Sequence, residues 1–381
     1  MQETVRYTYR LRPGAGAVAA LISEWHRTRS LWNDAVSRMR SGEKVSLGVL
    51  SKGLTAKRAG HDWLREGSQV AQQQELRTFV QSYDHSFTVK GRRRPGFKAA
   101  RRTQPSIEYT RRGFAVRGGC LVLPKGVSVP VVWSRDLPSE PTSVRVYRDS
   151  LSHWYASFVV RREVEAAPKA EGGIGIDWGV STTATTTDPV YDLPHAGNRR
   201  KVAAQMATAQ RRMARRRRPR GQTPSKGYTR AKREAAKIAK KAQRRTVHDG
   251  RTWAHRVVTD HQTIAVEDFR PKFLSKSTMA RKAADAAVST VKRTLIEYAE
   301  RAGRKVVLVE PAYTTMTCHD CLARAKRLML DQRVFVCEAC GLVEDRDRNA
   351  ARTILAVAER GHTSVEGIRH SLPPSEVSGA A

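Results

Sequence analysis

The chain opens with alternating polar and β-forming side chains and then changes period. Residues 5–12 (VRYTYRLR) predict a strand that ends at Pro13. Over residues 14–91 the apolar positions recur at helical spacing, which predicts a helical segment. Short β-rich runs separated by glycine and proline return between residues 107 and 164. This pattern predicts a small β-barrel or sandwich with a helical insertion after its first strand.

The second half of the chain contains apolar runs that each lead to a carboxylate. Asp177 follows the run Gly-Ile-Gly-Ile, and Glu267 ends the run Ile-Ala-Val. Asp347 opens a segment whose apolar residues continue at helical spacing. We therefore expect two buried strands and one helix to deliver three carboxylates that are far apart in the sequence.

Residues 199–245 carry 19 Lys or Arg residues and a single acidic one, Glu234. Apolar residues repeat within this segment, and Pro219 and Gly221 separate the two repeats. The segment therefore predicts an antiparallel helical hairpin with an apolar seam and basic outer faces that bind a phosphate backbone. A solvated basic surface is the alternative. The predicted nucleic-acid contacts are Arg211, Arg212, Arg215, Arg216, Arg217, Arg218, Lys232 and Arg233.

The composition strengthens the case for a nucleic-acid partner. The 381 residues include 70 Lys plus Arg against 36 Asp plus Glu, a formal net charge of +34. Such a surplus repels itself in a compact fold and favours a polyanionic partner, because each neutralised phosphate releases counterions. The sequence has no apolar run long enough to span a bilayer and no secretory signal, so we expect no membrane partner. A prokaryotic cytoplasmic location, with nucleoid association on target binding, is the expectation.

Four of the five cysteines form a metal-binding pattern. Cys318 and Cys321 are followed after fifteen residues by Cys337 and Cys340. Two such pairs can close tetrahedrally around one Zn²⁺, and four protein ligands make the site structural rather than catalytic. Redox-active or incidental cysteines are the alternative. Cys120 is left over as an ordinary strand residue.

The three carboxylates, Asp177, Glu267 and Asp347, have ordinary structural readings when taken singly. An aspartate at a helix start is commonly an N-cap, and a glutamate can end a strand in solvent. Three converging carboxylates, however, cannot all remain ionised without a cation. Mg²⁺ suits such an oxygen-rich site, and two ions about 4 Å apart would support phosphodiester hydrolysis. Asp268, Glu344 and Asp345 are neighbours that receive less weight as ligands.

Aromatic residues in the N-terminal half have two readings. Tyr109, Phe114 and Trp133 lie near basic residues and could stack on unpaired bases. The same residues would fit the apolar core of a barrel, which is the favoured interpretation.

The motifs together resemble TnpB, the OrfB-type transposon-encoded protein related to compact type V CRISPR effectors. The resemblance covers nearly the whole chain: RPGFK at 94–98, GIDWG at 175–179, VEDF at 266–269, VEPAYT at 309–314, the cysteine ribbon and DRDRNAA at 345–351. It departs from the family at Leu322, where Cys-Gly is common, and at Trp178, where a smaller apolar residue is common.

The resemblance implies an α/β and β-barrel multidomain chain with a split RuvC nuclease of RNase H-like fold. It also implies a guide RNA, target double-stranded DNA and cleavage beside a short adjacent motif by Asp177, Glu267 and Asp347. The implied domains are a wedge-like β-barrel (1–13 and 92–168), a helical recognition insert (14–91), the RuvC nuclease (169–312 and 343–360) and a zinc ribbon that contacts target nucleic acid (313–342). The serine, proline and glycine content of the C-terminal residues predicts a disordered tail (361–381).

Two other functions stay open. Some relatives of this kind have lost their acidic residues and act as RNA-guided DNA-binding regulators, whereas this chain keeps all three. A minimal type V CRISPR effector would share the same motifs, and a transposase that joins strands is disfavoured.

Overall fold

The computed structural model describes residues 2–163, 167–219, 221–269, 287–329 and 332–371. The chain divides into two compact units, Met1–Val164 and Glu165–Ala381. In the ranges described, no helix is long and apolar enough to cross a membrane.

The first unit combines a seven-stranded antiparallel sheet with four helices. The strands are β1 Gln2–Leu11, β2 Ser106–Thr110, β3 Ala115–Arg117, β4 Cys120–Leu123, β5 Val127–Val132, β6 Ser143–Arg148 and β7 Trp154–Glu163. Their order in the sheet is β2-β6-β7-β1-β5-β4-β3, and β1 pairs along its whole length with β7. The edge strands β2 and β3 are not joined to each other among the described residues, so closure into a barrel stays a prediction.

The helices of this unit follow the first strand. Ser46 and Ser68 each accept a hydrogen bond from the backbone N–H three residues later, which caps α2 and α4. The helices pack around Leu31, Leu76 and Phe79, which are at most 5% exposed. Their bounds are α1 Ala15–Arg40, α2 Leu47–Gly60, α3 Asp62–Arg65 and α4 Gln69–Thr88.

The aromatic residues of this unit lie in or against its core. Tyr109 is buried, and Phe114 and Trp133 pack against the same cluster. The Trp133 ring stacks on Phe158, with 5.8 Å between ring centroids. These rings therefore stabilise the sheet, as the core interpretation expects.

The second unit is built on a mixed five-stranded sheet of order β10-β9-β8-β11-β12. The strands are β8 Glu171–Trp178, β9 Thr182–Thr186, β10 Leu193–Pro194, β11 His261–Glu267, β12 Lys305–Val309, β13 Val334–Val336 and β14 Val343–Asp345. Strand β11 lies between β8 and β12 and is parallel to both, while β8 and β9 are antiparallel. A separate two-stranded ribbon consists of β13 and β14.

Helices cover the two faces of this sheet. The helices are α5 Asn198–Lys201, α6 Ala203–Arg215, α7 Lys226–Asp260, α8 Val288–Arg301, α9 Arg346–Glu359 and α10 Val365–Ser371. Ile264 and Val266 pack against α7 and α8, whereas Ala265 packs with residues of α9 and α10 on the opposite face. This alternation follows from the two-residue period of a strand.

The prediction of a disordered tail from residue 361 is wrong for its first eleven residues. Helix α10 buries Val365 and Ile368, and the Ser364 hydroxyl accepts a hydrogen bond from the Gly367 N–H. A serine cap and two apolar residues three positions apart are enough to dock a short helix. The serine, proline and glycine content around them concealed that signal, and residues 372–381 lie outside the described ranges.

Candidate active site and zinc site

Two of the three predicted carboxylates lie at adjacent strand ends. Ile176 of β8 is opposite Val266 of β11 in a parallel pairing, so Asp177 and Glu267 follow at the same edge of the sheet. Both carboxylates point to the face covered by α9, because they lie two residues beyond Gly175 and Ala265. Asp177 is 7% exposed and Glu267 is 6% exposed.

Burial makes this pair share a proton. Burial raises the pKa of Asp177 well above its usual range, and the charges of Glu267 and Asp347 raise it further. Burial also raises the pKa of Glu267 to about 7, although a hydrogen bond from the backbone N–H of Trp178 opposes the shift. Both pKa values are raised, so the buried pair retains a proton in the absence of a cation. A divalent cation would replace that proton, which is how buried carboxylate pairs usually remain ionised.

The third carboxylate, Asp347, lies in the first turn of α9. Asp345 is the N-cap of this helix, since its carboxylate accepts a hydrogen bond of 3.0 Å from the Arg348 N–H. The N-cap role therefore belongs to Asp345, and Asp347 is not needed as the cap. The charge of Asp347 contributes to the raised pKa of Asp177.

Helix α9 comes unusually near to β8. A Cβ atom placed on Gly175 would lie 1.9 Å from the carbonyl oxygen of Ala351, so only glycine fits there. Ala350 and Ala351 are fully buried, and their small side chains allow the helix to pack closely against the sheet. The glycine of the first motif and the alanines of the last therefore allow the close packing that brings Asp347 to the strand ends.

Asp347 also contacts two arginines. Its Oδ1 atom is 3.2 Å from both Nε and Nη2 of Arg346, and its Oδ2 atom is 3.8 Å from Arg333 Nη1. Within the part of the chain that the structure describes, only the four ribbon cysteines form a set of three or more potential ligands with every ligand atom within 4.8 Å of the others. The carboxylates thus form a close pair with a third carboxylate nearby, rather than a compact triad.

The neighbouring acidic residues have other partners. Lys292 donates to Asp268 Oδ1 at 2.7 Å and to the Glu267 carbonyl at 3.0 Å, which fixes the end of β11. Glu344 pairs with Arg352 at 2.9 Å. Both acids are therefore engaged in ion pairs on the periphery of the carboxylate pair.

The ribbon cysteines fit a tetrahedral Zn²⁺. Their sulfur atoms all lie within 4.8 Å of one another, with 3.7 Å between Cys318 and Cys340 and 3.5 Å between Cys321 and Cys337. A tetrahedral zinc with Zn–S bonds of about 2.3 Å separates its sulfurs by about 3.8 Å, whereas a disulfide needs about 2.05 Å. The spacing therefore matches a four-cysteine zinc site and excludes disulfides.

The thiols differ in acidity. Burial raises the pKa of Cys318, and it raises the pKa of Cys321 to about 11. Burial also raises the pKa of Cys337, but hydrogen bonds from the backbone N–H groups of Cys340 and Ala339 outweigh it and lower that pKa overall. A bound cation would ionise all four thiols, since zinc binds the thiolate form.

Leu322 explains one departure from the family pattern. It adopts a left-handed conformation with φ of 59°, which suits the glycine common in relatives. Its side chain is 7% exposed and packs with Ile354 and Val309. The backbone strain is therefore offset by an apolar contact between the first cysteine knuckle and the core of the second unit.

The predicted basic hairpin consists of α6 and the first half of α7. Its seam buries the small side chains of Ala209, Ala231 and Ala242, and Arg212 pairs with Glu234 across the two helices at 3.3 Å. The helix α7 continues beyond the predicted end and joins the core through Trp253. All eight predicted nucleic-acid contacts are exposed.

Comparison with known proteins identifies the family. The profile "Cas12f1-like, TNB domain" matches residues 289–354, and the profile "Probable transposase" (OrfB_IS605) matches residues 157–278. A Streptomyces pristinaespiralis protein named "Putative RNA-guided DNA endonuclease" is 30% identical over 97% of this chain and 93% of its own length. The chain belongs to the TnpB family.

Two further similarities extend this assignment. The Escherichia coli K12 protein "Putative RNA-guided DNA endonuclease InsQ" is 24% identical over 93% of this TnpB chain and 92% of its own length. The chain in the "Cryo-EM structure of the Cas12f1-sgRNA-target DNA complex" has a TM-score of 0.54 at 13% identity, with coverage of 93% of this chain and 98% of that one. This chain therefore shares the multidomain fold of that Cas12f1 chain, and the region matched by the TNB-domain profile contains the cysteine cluster that fits zinc.

Sequence reasoning missed several residues of this site. The sequence pattern does not single out Lys292, and it presents Asn349 only as a member of the motif DRDRNAA at 345–351. Gly175 was read as part of an apolar run. The identity of Asn349 and Gly175 within the TnpB motifs was a signal, but its meaning depends on contacts that the sequence does not display.

Proposed function

We propose that this TnpB protein is an RNA-guided DNA endonuclease of a transposon and that Asp177, Glu267 and Asp347 hold the Mg²⁺ for DNA cleavage. The observation that carries the proposal is the placement of the carboxylates: two at adjacent strand ends, and one in the first turn of the helix packed over them. Relatives named as RNA-guided DNA endonucleases match almost the full chain, which supports the same activity here.

The three carboxylates have distinct parts in this proposal. Asp177 and Glu267 would lose their shared proton and hold Mg²⁺ through their carboxylate oxygen atoms. Asp347, which contacts Arg346 and Arg333, would be the third carboxylate ligand. Mg²⁺ held there, as two ions, would supply an activated water and stabilise the oxygen that leaves the phosphodiester.

The residues around the pair prepare it for binding. The Trp178 N–H donates to Glu267, and Lys292 holds the backbone that carries Glu267. These contacts limit the side-chain freedom that would otherwise be lost when the ion binds. The zinc site is structural in this proposal, because four thiolates leave no open position for a reacting water.

Guide RNA and target double-stranded DNA are the proposed partners. The exposed cations of α6 and α7 would neutralise backbone phosphates without reading sequence. Base pairing with the guide would select the target, while protein contacts recognise the short adjacent motif and the shape of the duplex. The first unit would supply a wedge-like β-barrel and a helical recognition insert, and the zinc ribbon would contact the target strand.

A plasmid-cleavage assay tests the proposal with the protein bound to its co-purifying RNA. Asp177→Asn should reduce Mg²⁺-dependent cleavage by at least about 10³-fold, because the loss of one ligand disrupts the whole ion site. Asp345→Asn is the matched control: asparagine caps a helix as well as aspartate, so cleavage should persist. Both variants should bind guide and target as the wild type does.

Three outcomes would overturn the proposal in different ways. Undiminished cleavage by Asp177→Asn would reject the assigned site. Tight target binding without cleavage by the wild type, with Mg²⁺ present, would indicate a DNA-binding regulator. Strand-joined products would indicate a transposase.

A further inference from the structure

A hydrogen-bond network joins the first zinc knuckle to the helix that carries Asp347. Its centre is Asn349, which lies two residues after Asp347 and is fully buried. The Asn349 side chain accepts a bond of 3.1 Å from the His319 backbone N–H and donates one of 2.7 Å to the Thr317 carbonyl. Thus one amide side chain binds both residues that flank the first zinc ligand, Cys318.

Two further contacts reinforce the same junction. The Thr353 hydroxyl, one turn along α9, is 3.0 Å from the Thr317 carbonyl. His319 Nδ1 is 3.2 Å from Asn349 Oδ1 and 3.4 Å from Glu344 Oε2. Because this nitrogen faces two oxygen acceptors, it carries the proton and donates.

The opposite side of the helix start is also fixed. The Arg348 guanidinium forms a two-pronged pair with Asp192, at 2.9 and 2.7 Å, near the end of β9. The first turn of α9 is therefore held by the sheet through Arg348 and by the zinc knuckle through Asn349. Asp347 lies immediately before these two residues in the first turn of the helix, so its position depends on both attachments.

We propose that Asn349 is a positioning residue that couples zinc binding in the ribbon to the placement of Asp347. The inference rests on the proposed role of Asp347 as a Mg²⁺ ligand. The knuckle holds its backbone in place only when its cysteines are bound by a metal, since metal binding and folding are linked in such ribbons. Asn349 is hydrogen-bonded to the His319 N–H and the Thr317 carbonyl of the knuckle. Because these backbone groups cannot rotate away, a fixed knuckle also fixes the start of α9.

The physical basis is the fixed geometry of the amide. One side of Asn349 is an acceptor and the other is a donor, and the knuckle presents a matching N–H and carbonyl. Outer contacts of this kind around a metal site commonly change metal affinity or activity by about 10- to 100-fold when they are removed. The coupling must also act in reverse, so occupation of the carboxylate site should raise the affinity of the cysteines for zinc. We expect this higher affinity to appear as slower transfer of zinc to a chelator.

The experiment measures zinc release from the RNA-bound full-length protein with a chromogenic chelator, with and without Mg²⁺. For the wild type, Mg²⁺ should slow zinc release. For Asn349→Ala, release should be about 10-fold faster, the effect of Mg²⁺ should disappear, and cleavage should fall by about 10- to 100-fold with unchanged target affinity. Asn349→Asp keeps the size and the acceptor but loses the donor, so an intermediate result is expected.

Asn198→Ala is the matched control. Asn198 is another buried asparagine, bonded to Thr246 and Asp249 away from the knuckle, so its removal tests a general loss of stability. It should leave zinc release and its response to Mg²⁺ as in the wild type. Equal effects of the Asn198 and Asn349 variants would overturn the proposal.

The two proposals fail in distinguishable ways. If Asp177→Asn still cleaves DNA, the assignment of the active site fails whatever zinc does. If Asp177→Asn is inactive but Asn349→Ala retains wild-type zinc release and cleavage, the active site stands and the coupling is rejected.

Discussion

The substitution Gly175→Ala tests the close packing that assembles the candidate active site. The new Cβ would lie 1.9 Å from the Ala351 carbonyl oxygen and 3.0 Å from Leu355 Cβ. Real Cβ contacts are essentially never shorter than 3.0 Å, so helix α9 must recede from β8 by about 1.1 Å. The obstacle is helix backbone rather than a flexible side chain, and it cannot rotate away.

The expected loss of stability follows from this displacement. Overpacking of a rigid core typically costs about 1–3 kcal/mol, and a backbone clash lies at the upper end. For a unit of this size, about 3 kcal/mol lowers the melting temperature by about 6–12 °C. A shift of about 1 Å in a catalytic group can also reduce the rate by about 100-fold, so DNA cleavage should fall even where the protein remains folded.

The assay combines thermal unfolding with single-turnover cleavage at saturating Mg²⁺. Gly173→Ala is the control on the same strand and face, because its Cβ would meet the tips of Leu355 and Glu359, which can move. That variant should unfold within about 2 °C of the wild type. A Gly175→Ala protein with wild-type melting and cleavage would refute the reasoning that α9 is placed by this contact.

Two other outcomes are expected. The pKa of Glu267 is raised from 4.5 to about 7, so the folded state binds this proton more tightly than the unfolded state does. The resulting contribution to stability is complete below about pH 4.5 and is lost as the pH rises to about 7. Without Mg²⁺, the wild type should therefore lose more stability between pH 5 and 8 than Glu267→Gln does. Mg²⁺ should raise the melting temperature of the wild type more at pH 8 than at pH 6. Equal pH profiles of the two proteins in thermal unfolding would contradict this expectation. At Leu322, both Ala and Gly remove the buried side chain at about 2–5 kcal/mol, but Gly relieves about 1 kcal/mol of left-handed strain. Chemical unfolding should rank the wild type above Leu322→Gly and that above Leu322→Ala, and the reverse order of the two variants would show that the backbone conformation is irrelevant.

The sequence predicted the elements of the site better than their mutual placement. Apolar runs that end in Asp177 and Glu267 predict strands, because buried parallel strands need continuous apolar residues. The cysteine spacing predicted the zinc ribbon, since ligand geometry is imposed by four residues alone. The helical segment 365–371 was missed because its docking depends on only two apolar side chains.

Other features of the site depend on contacts between distant residues and could not be predicted. The alternation of β8 and β11 places Asp177 and Glu267 on the α9 face only once the register is known. The contact of Asp347 with Arg333 joins the ribbon to the helix, and nothing in the spacing of these residues indicates it. The three carboxylates do not form one compact set of ligands in the described residues, and the spacing of the residues along the chain does not predict this arrangement.

The motif residues around the carboxylates have a common physical role, which is to set distances. Gly175 and Ala351 allow two backbones to approach, and Asn349 ties the approaching helix to the zinc knuckle. The three carboxylates come from distant segments of the chain, so their relative positions depend on such contacts. The cysteine ribbon lies directly before the helix that carries Asp347, and a metal bound by the ribbon would fix the start of this helix without a large core of its own.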